Sequence, residues 1–418
     1  MTAPPAVTPS QATPGPGSAP VAVTTPARLA WLESELTVWS AEGLVDPATA
    51  RAIRDRYVAH RRVTLSRIVL TLGAAFVGLG LIWLVAANLD AMSPLVRFGL
   101  VTLVWLGLVA AGEALAGRRA RDGDHASPVV GALRLLAVAG YGAVLFQAAQ
   151  SLQVPAYEPA LVGLWALGAL AFGYAVGAAG PVVVGIVLGA GWTVWHVADT
   201  SADPLAATLA VAAVALLGVA VGVLHRRLPP ALVPAGLGVP WREVGAVLAL
   251  GALYVAALPV GGDPMDVGPL LVVLPALAVL AAGAAAALGD RVDRAEVALA
   301  TAAALLVAVL VAWRPSAGLT DPTQATGADL GRAVLAVAVF LAVASGYAVL
   351  GGRRDSDRVT WLAAAALVLF TTTQAFAVFA PVLSGAVLFL AVGLVLLATG
   401  VLADRGRRRL VRRGKEGS

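Results

Sequence analysis

Residues 205–224 read LAATLAVAAVALLGVAVGVL, one of the long apolar runs that recur along this sequence. The stretch has no charged residue, and Thr208 is its one polar side chain. About 20 predominantly apolar residues are enough for a helix to cross the hydrocarbon core of a bilayer. Because hydrocarbon offers no hydrogen-bond partner for a free backbone amide, such a segment must bond internally, as a helix does. We therefore expect a membrane-spanning helix here.

The whole chain has the same apolar character. Of its 418 residues, 59% are apolar and 13% are charged, whereas soluble domains average about 45–50% apolar and about 25% charged residues. A soluble fold of this size could not bury so much apolar surface, which excludes an ordinary water-soluble enzyme. Cysteine is absent, which excludes disulfides, thiolate metal sites and cysteine nucleophiles. The four histidines are too far apart in sequence to share one helical face, so we expect neither a metal site nor another cofactor.

Apolar runs of spanning length recur along the chain. The sequence predicts an all-α fold, a polytopic integral membrane helical bundle of about 12 transmembrane helices in a domain covering residues 67–403. The predicted spans are 67–88, 95–116, 128–150, 158–178, 181–198, 205–224, 243–260, 268–288, 295–313, 333–351, 359–380 and 382–403.

Basic residues indicate the orientation of these spans, because cytoplasmic loops carry an excess of Lys and Arg. With the N-terminus inside, all but four of the 29 basic residues lie on the cytoplasmic side; the exceptions are Arg97, Arg314, Arg332 and, within a span, Arg134. One miscounted span would invert every later loop and destroy this pattern. We therefore expect both termini in the cytoplasm, including the basic tail 404–418, and no nucleic-acid partner for these charges.

The N-terminal part is different in composition. Residues 1–26 are rich in Pro, Ala and Thr and uncharged, so we expect them to be disordered. Residues 27–62 form a polar island that predicts a small cytoplasmic helical hairpin. Its first helix has Leu29, Leu32, Leu36 and Trp39 on one face, and Asp46-Pro47 is a good start for the second. The hairpin is too small for a core of its own, so it must pack against the membrane domain, a second copy or another protein.

Charges inside predicted spans are costly and often functional, and two such residues lie at a similar depth in neighbouring spans. Glu113 is near the cytoplasmic end of the second span, and Arg134 is at a similar depth in the third. We predict an intramembrane ion pair between them. Two alternatives remain: each side chain reaches the interface separately, or the pair is structural and takes no part in moving a solute or a proton.

A second candidate site lies at the predicted outer level. The polar and aromatic residues that share this level predict a binding pocket. They are Gln147, Gln150, Gln153, Asn88, Asp90, Glu158, Trp192 and His196. The alternative is that the amides bridge helices, while the tryptophan and the histidine belong to the aromatic belt at the interface.

Small residues could bring helices close together. The pairs Gly173–Gly177, Gly185–Gly189 and Gly218–Gly222 have the four-residue spacing that allows tight helix packing. Because the chain has 45 glycines, such pairs also arise by chance.

The first part of the chain resembles a family of predicted bacterial membrane proteins known as domain of unknown function 2157. One mark is the hairpin, with Leu32, Leu36 and Trp39 followed by the run Glu42-Gly43-Leu44-Val45 and by Ala50-Arg51-Ala52-Ile53. A second is Ala86-Ala87-Asn88-Leu89-Asp90 at the end of the first span, with Leu89 where the family commonly has Trp. A third is the Gln147–Gln150 end of the third span. The similarity covers roughly residues 28–200. It implies a multi-pass protein of the bacterial plasma (inner) membrane and supplies no catalytic residue.

Three functions are compatible with these features. We expect a regulatory or scaffolding membrane protein whose cytoplasmic hairpin binds a protein partner; a homo-oligomer is also compatible. The alternative is a transporter or flippase of a small uncharged or lipid-like solute. An intramembrane enzyme is disfavoured, because Glu113 and His196 would lie on opposite sides of the membrane. No pair of carboxylates at helical spacing lies inside a predicted span, and we expect no catalytic residues.

Overall fold

The structure is a computed structural model, and the chain divides into two compact units, Met1–Gly73 and Ala74–Ser418. The predicted spans 67–88 and 382–403 and the basic tail 404–418 fall almost wholly outside the described residues. The structure describes residues 22–24, 26–59, 93–121, 127–152, 158–201, 203–229, 233, 234, 236–258, 267–313, 326–354 and 356–379, with isolated positions between 69 and 80.

Two helices of the N-terminal unit lie where the sequence predicts a hairpin. Helix α1 covers Pro26–Ala41 and helix α2 covers Pro47–Asp55. The Asp46 side chain accepts hydrogen bonds from the backbone N–H groups of Ala48 and Thr49, so it caps α2 as expected. The two helices touch through Arg54, whose Nε lies 3.2 Å from Glu33 Oε1. Leu36, on the predicted apolar face of α1, is buried.

Two short strands in this unit depart from the all-helical expectation. Strand β1, Ala22–Thr24, pairs in parallel with strand β2, Tyr57–Ala59. Parallel strands need a long crossover, and α1 and α2 supply it. Valine and tyrosine favour extended backbone, which accounts for the pairing of Val23 with Val58 and of Ala22 with Tyr57. Strand β1 also lies inside the segment 1–26 that we expected to be disordered.

Ten helices of the second unit coincide with ten of the predicted spans. Eight of them are long and apolar enough to cross a membrane, as judged by length and composition among the described residues, and α5 is a shorter apolar helix. The count of twelve spans stays a prediction. The helices are α3 Pro94–Arg121, α4 Pro128–Ser151, α5 Pro159–Ala175, α6 Ala179–Thr200, α7 Pro204–His225, α8 Gly238–Ala257, α9 Pro269–Leu288, α10 Arg291–Ala312, α11 Gly327–Arg353 and α12 Asp357–Phe379.

Helix α7 is the most buried of the eight candidate spans that the structure describes. It contacts α6, α8, α9 and α10, while α8 contacts α6, α7, α10, α11 and α12. The largest core cluster lies between α7, α8, α10, α11 and α12 and includes Phe340 and Phe370, whose rings stack with centroids 3.9 Å apart. Helices α7 and α8 therefore form the centre around which α6 and α9 to α12 pack, whereas α3 packs on α4, and α4 on α5 and α6.

Glycines allow α7 and α8 to approach closely. A Cβ atom added at Gly245 would lie 3.0 Å from the Ala215 carbonyl oxygen and 3.0 Å from the Val219 nitrogen, and one added at Gly222 would lie 2.7 Å from the Gly238 carbonyl oxygen. Of the three glycine pairs noted in the sequence, Gly218–Gly222 is thus the one of which both members lie against the backbone of a neighbouring helix.

The other two pairs have different surroundings. Gly173 packs against Val182 near the α5–α6 turn, and Gly177 has a φ of +62°, a conformation that favours glycine after a helix end. Gly185 packs against the side chain and backbone of Leu170, but at Gly189 an added Cβ would meet only the Ala166 methyl group, at 3.9 Å.

The close approach predicts a position-specific cost for a larger side chain. Gly245→Ala should destabilise the protein by about 1–3 kcal/mol, because both atoms in the way belong to the backbone of α7 and cannot rotate aside. Gly251→Ala on the same helix is the matched control, since a Cβ there meets nothing within 4 Å. Thermal unfolding in lipid nanodiscs measures both variants. Equal melting temperatures for the two would contradict the close packing.

Candidate functional site: a buried arginine–carboxylate cluster

The structure brings together the two members of the predicted intramembrane ion pair. Arg134 Nε on α4 lies 2.8 Å from Glu113 Oε1 on α3, and Arg134 Nη2 lies 2.8 Å from Glu113 Oε2. This two-point geometry is the strong form of an arginine–carboxylate contact. The two side chains therefore neutralise each other between helices and do not reach the interface separately.

The predicted polar pocket is only partly described. Gln147 is buried on α4, whereas Gln150 and Glu158 are exposed. Trp192 and His196 stack on α6 with ring centroids 5.7 Å apart. Among the described residues, no hydrogen bond or ring contact joins these amides to that aromatic pair. Gln153, Asn88 and Asp90 lie outside the described residues, so the pocket stays a prediction.

A larger charged group, which the sequence analysis did not identify, lies where α7, α10 and α11 meet. We call Asp293, Glu296, Arg226, Arg227, Arg242 and Arg354 the arginine–carboxylate cluster. Asp293 is its centre, with a side chain that is 0% exposed. Three guanidinium groups donate to it: Arg354 Nη2 lies 2.7 Å from Oδ1, Arg227 Nη2 lies 3.0 Å from Oδ2, and Arg226 Nη2 also contacts Oδ1. One carboxylate thus holds the ends of three helices together.

Glu296 extends the cluster one turn deeper into the helices. Its side chain is 7% exposed. Arg242 on α8 contacts both carboxylate oxygens, with Nε 3.0 Å from Oε1 and Nη2 3.0 Å from Oε2. Arg354 Nη2 lies 2.7 Å from Oε2, so the same guanidinium bridges both carboxylates. Through Arg242, the cluster also connects α8 to the other three helices.

The start of α10 explains why the two acids lie together. Asp290 caps α10 and forms a capping box with Asp293, the third residue of the helix. The backbone N–H of Asp293, which donates to Asp290, holds the pKa of the Asp290 carboxyl below its usual value. Residues three apart share a helix face, so Asp293 and Glu296 point the same way. The cap therefore orients the acids for their arginine partners.

The cluster corrects one statement from the sequence. We expected no two carboxylates at helical spacing inside a span, but Asp293 and Glu296 both lie inside α10. The error arose because the predicted span began at residue 295, whereas α10 begins at Arg291. The three-residue spacing of Asp290, Asp293 and Glu296 at the head of an apolar run is the signal that could have revealed them.

A chain of hydrogen bonds joins α5, α7 and α8 near the same helix ends. His225 Nδ1 lies 2.7 Å from the Val221 carbonyl oxygen, which can only accept, so Nδ1 carries the proton. His225 Nε2 contacts the Tyr174 hydroxyl, and that oxygen accepts from Trp241 Nε1 at 2.8 Å. Each of the three rings thus makes at least one hydrogen bond, as buried polar groups usually do.

A single arginine ties the opposite ends of these helices. Arg332 on α11 is 3% exposed and donates to backbone carbonyl oxygens, at 2.8 Å from Ala256 on α8 and 2.7 Å from Trp313 after α10. The last carbonyls of a helix carry partial negative charge and lack intrahelical partners, so a cation suits them. Arg332, one of the exceptions to the charge pattern, therefore has a structural role at that end.

The cluster predicts unequal costs for removing two acids of the same unit. Asp293→Ala should destabilise the protein by about 3–5 kcal/mol, because it removes the anion that three guanidinium groups share, of which the one on Arg354 is only 12% exposed. Glu243→Ala is the control, since its partner Arg358 is largely exposed at 3.3 Å and such pairs contribute about 0–1 kcal/mol. Thermal unfolding of both variants in nanodiscs is the measurement. A loss at Asp293 no larger than that at Glu243 would refute a stabilising cluster.

Among known proteins, one family is similar to the first part of this chain. No curated protein and no solved structure matches the chain. A family described as predicted membrane protein (DUF2157) matches residues 37–182, from the second half of α1 to the start of α6. The arginine–carboxylate cluster lies beyond the matched residues. The resemblance found in the sequence is confirmed over residues 37–182, the part of this chain that is similar to the DUF2157 family of predicted membrane proteins.

Proposed function

We propose that this protein is a multi-pass membrane scaffold that regulates or anchors a protein partner through its N-terminal unit. The spanning helices serve as a fixed anchor, and helices α1 and α2 carry the docking surface. We place the protein in the bacterial plasma membrane with both termini in the cytoplasm, on the basis of its family and of its arginine distribution.

The observation that carries this proposal is that α8, α10 and α11 are tied to one another at both ends. Arg354 and Arg242 join them through Asp293 and Glu296 at one end. Arg332 joins the same three helices at the other end. A carrier must open one end of its bundle while the other closes. Ties at both ends favour a fixed anchor over a solute transporter or a flippase.

The N-terminal unit offers side chains suited to docking. Trp31 and Val38 are exposed and two turns apart, so they share a face of α1, and Leu44 is exposed in the turn that follows. Exposed large apolar residues on an otherwise polar unit are typical of a protein-binding surface. These three residues support a protein partner for this unit.

Distances between spin labels test the proposed rigidity. The chain has no cysteine, so two introduced cysteines are the only labelling sites. Val239→Cys with Gly352→Cys reports on α8 and α11 at the cluster end, and Val255→Cys with Gly327→Cys reports on their other end; all four positions are exposed. We expect one narrow distance distribution for each pair in lipid, unchanged by a panel of solutes and lipids.

Two populations that change reciprocally at the two ends would contradict the scaffold and support the transporter. The same variants test orientation. An impermeant maleimide should reach Val239→Cys only from the cytoplasmic side and Gly327→Cys only from the outside. Labelling of both from one side would contradict the proposed topology.

A further inference from the structure

Asp293 holds two arginines side by side at the surface of the cluster. Arg226 and Arg227 follow the last residue of α7, and each donates to Asp293 from its Nη2 nitrogen alone. They use different oxygens of the same carboxylate, so the two guanidinium groups are held next to each other. A guanidinium has five N–H donors in a rigid fork, which leaves several donors of each arginine uncommitted to Asp293.

These remaining donors are accessible. The side chains of Arg226 and Arg227 are 43% and 39% exposed, whereas the carboxylate that positions them is 0% exposed. The anionic side of the contact is thus buried, and the cationic side faces outward. The two arginines are ordered before any ligand arrives, which lowers the entropy cost of binding one.

The surroundings carry an excess of positive charge. Asp290 is the nearby exposed acid, with Oδ2 at 3.9 Å from Arg226 Nη2 and 3.8 Å from Arg227 Nη2. Four arginines outweigh this one negative charge: Arg226, Arg227, Arg291 and Arg353. Arg291 and Arg353 are exposed, and these two form no ion pair with any described acid. Arg354 donates to Asp293 as a third cation. The patch therefore attracts anions.

We propose that Arg226 and Arg227 form a clamp for the phosphate group of an anionic membrane phospholipid. Arginine forks bind phosphate through two parallel N–H···O bonds, and a lipid phosphodiester has two free oxygens to receive them. The clamp lies at the ends of α7, α10 and α11, which are candidate membrane spans, and helix ends are where lipid headgroups meet a protein. This position selects a lipid over a soluble phosphate.

Spin-labelled lipids test the clamp on the full-length protein. The protein is reconstituted into vesicles of phosphatidylcholine alone or of an equal mixture with phosphatidylglycerol, and the protein-bound fraction of each labelled lipid gives its affinity. We expect tighter binding of phosphatidylglycerol. Arg226→Gln with Arg227→Gln should weaken that binding about thirtyfold, the factor that two cations at about 1 kcal/mol each correspond to.

A matched control separates the clamp from general attraction. Arg118→Gln with Arg121→Gln removes the same charge from exposed positions at the end of α3, and it should leave phosphatidylglycerol binding nearly unchanged. Equal losses in the two double variants, or no loss in either, would overturn the clamp.

A second variant, expected to strengthen lipid binding, keeps the test valid if the double arginine variant fails to fold. Asp290→Asn keeps an N-cap residue and removes the negative charge beside both arginines, so it should strengthen phosphatidylglycerol binding. Unchanged or weaker binding would count against the clamp. Inorganic phosphate at millimolar concentration should not displace the labelled lipid; displacement would show that the site takes soluble phosphate and overturn the lipid assignment.

Discussion

The burial of two carboxylates at the head of an apolar helix constrains everything around them. An ionised acid removed from water is stable only when it is paired and hydrogen-bonded. Asp293 and Glu296 obtain this pairing from arginines on or next to α7, α8 and α11. Rotating or sliding α10 would separate several pairs at once. The cluster therefore fixes the register of four helices.

The cluster and the close packing of α7 on α8 depend on each other. Arg242 reaches Glu296 from the first turns of α8, and its side chain passes directly over Gly222 of α7, where an added Cβ would collide with it. Gly222 thus allows both the close approach of the backbones and the path of the arginine side chain. At the other end, Arg332 satisfies carbonyl groups left by α8 and α10. Tight packing and charge pairing specify the same arrangement.

Much of the spanning architecture was predictable because its signals are local. Apolar runs of spanning length located ten helices, and similar depth in neighbouring spans was enough to pair Glu113 with Arg134. The same reasoning did not identify the cluster, because its arginines come from segments far apart in sequence. Their positions were already explained by the rule that cytoplasmic loops are rich in basic residues. A four-residue error in the start of α10 then hid the spacing of Asp293 and Glu296.

Two other features depend on information that the sequence does not carry locally. The β1–β2 pairing joins residues separated by two helices, and three-residue strands give too weak a pattern to be recognised. The predicted outer pocket depended on depth alone. Depth does not determine which helices are neighbours, and among the described residues Gln147 and the Trp192–His196 pair make no hydrogen bond or ring contact with each other.

A double-mutant cycle between Asp293 and Arg354 measures how strongly the cluster couples the helix ends. Asp293→Asn, Arg354→Gln and the double variant are unfolded thermally in the same nanodiscs, and the coupling free energy is taken from the four stabilities. If the cluster fixes the helix ends, the coupling should be about 1–3 kcal/mol, in the range found for residues that share one charge network. Effects that add within about 0.5 kcal/mol would contradict the claim.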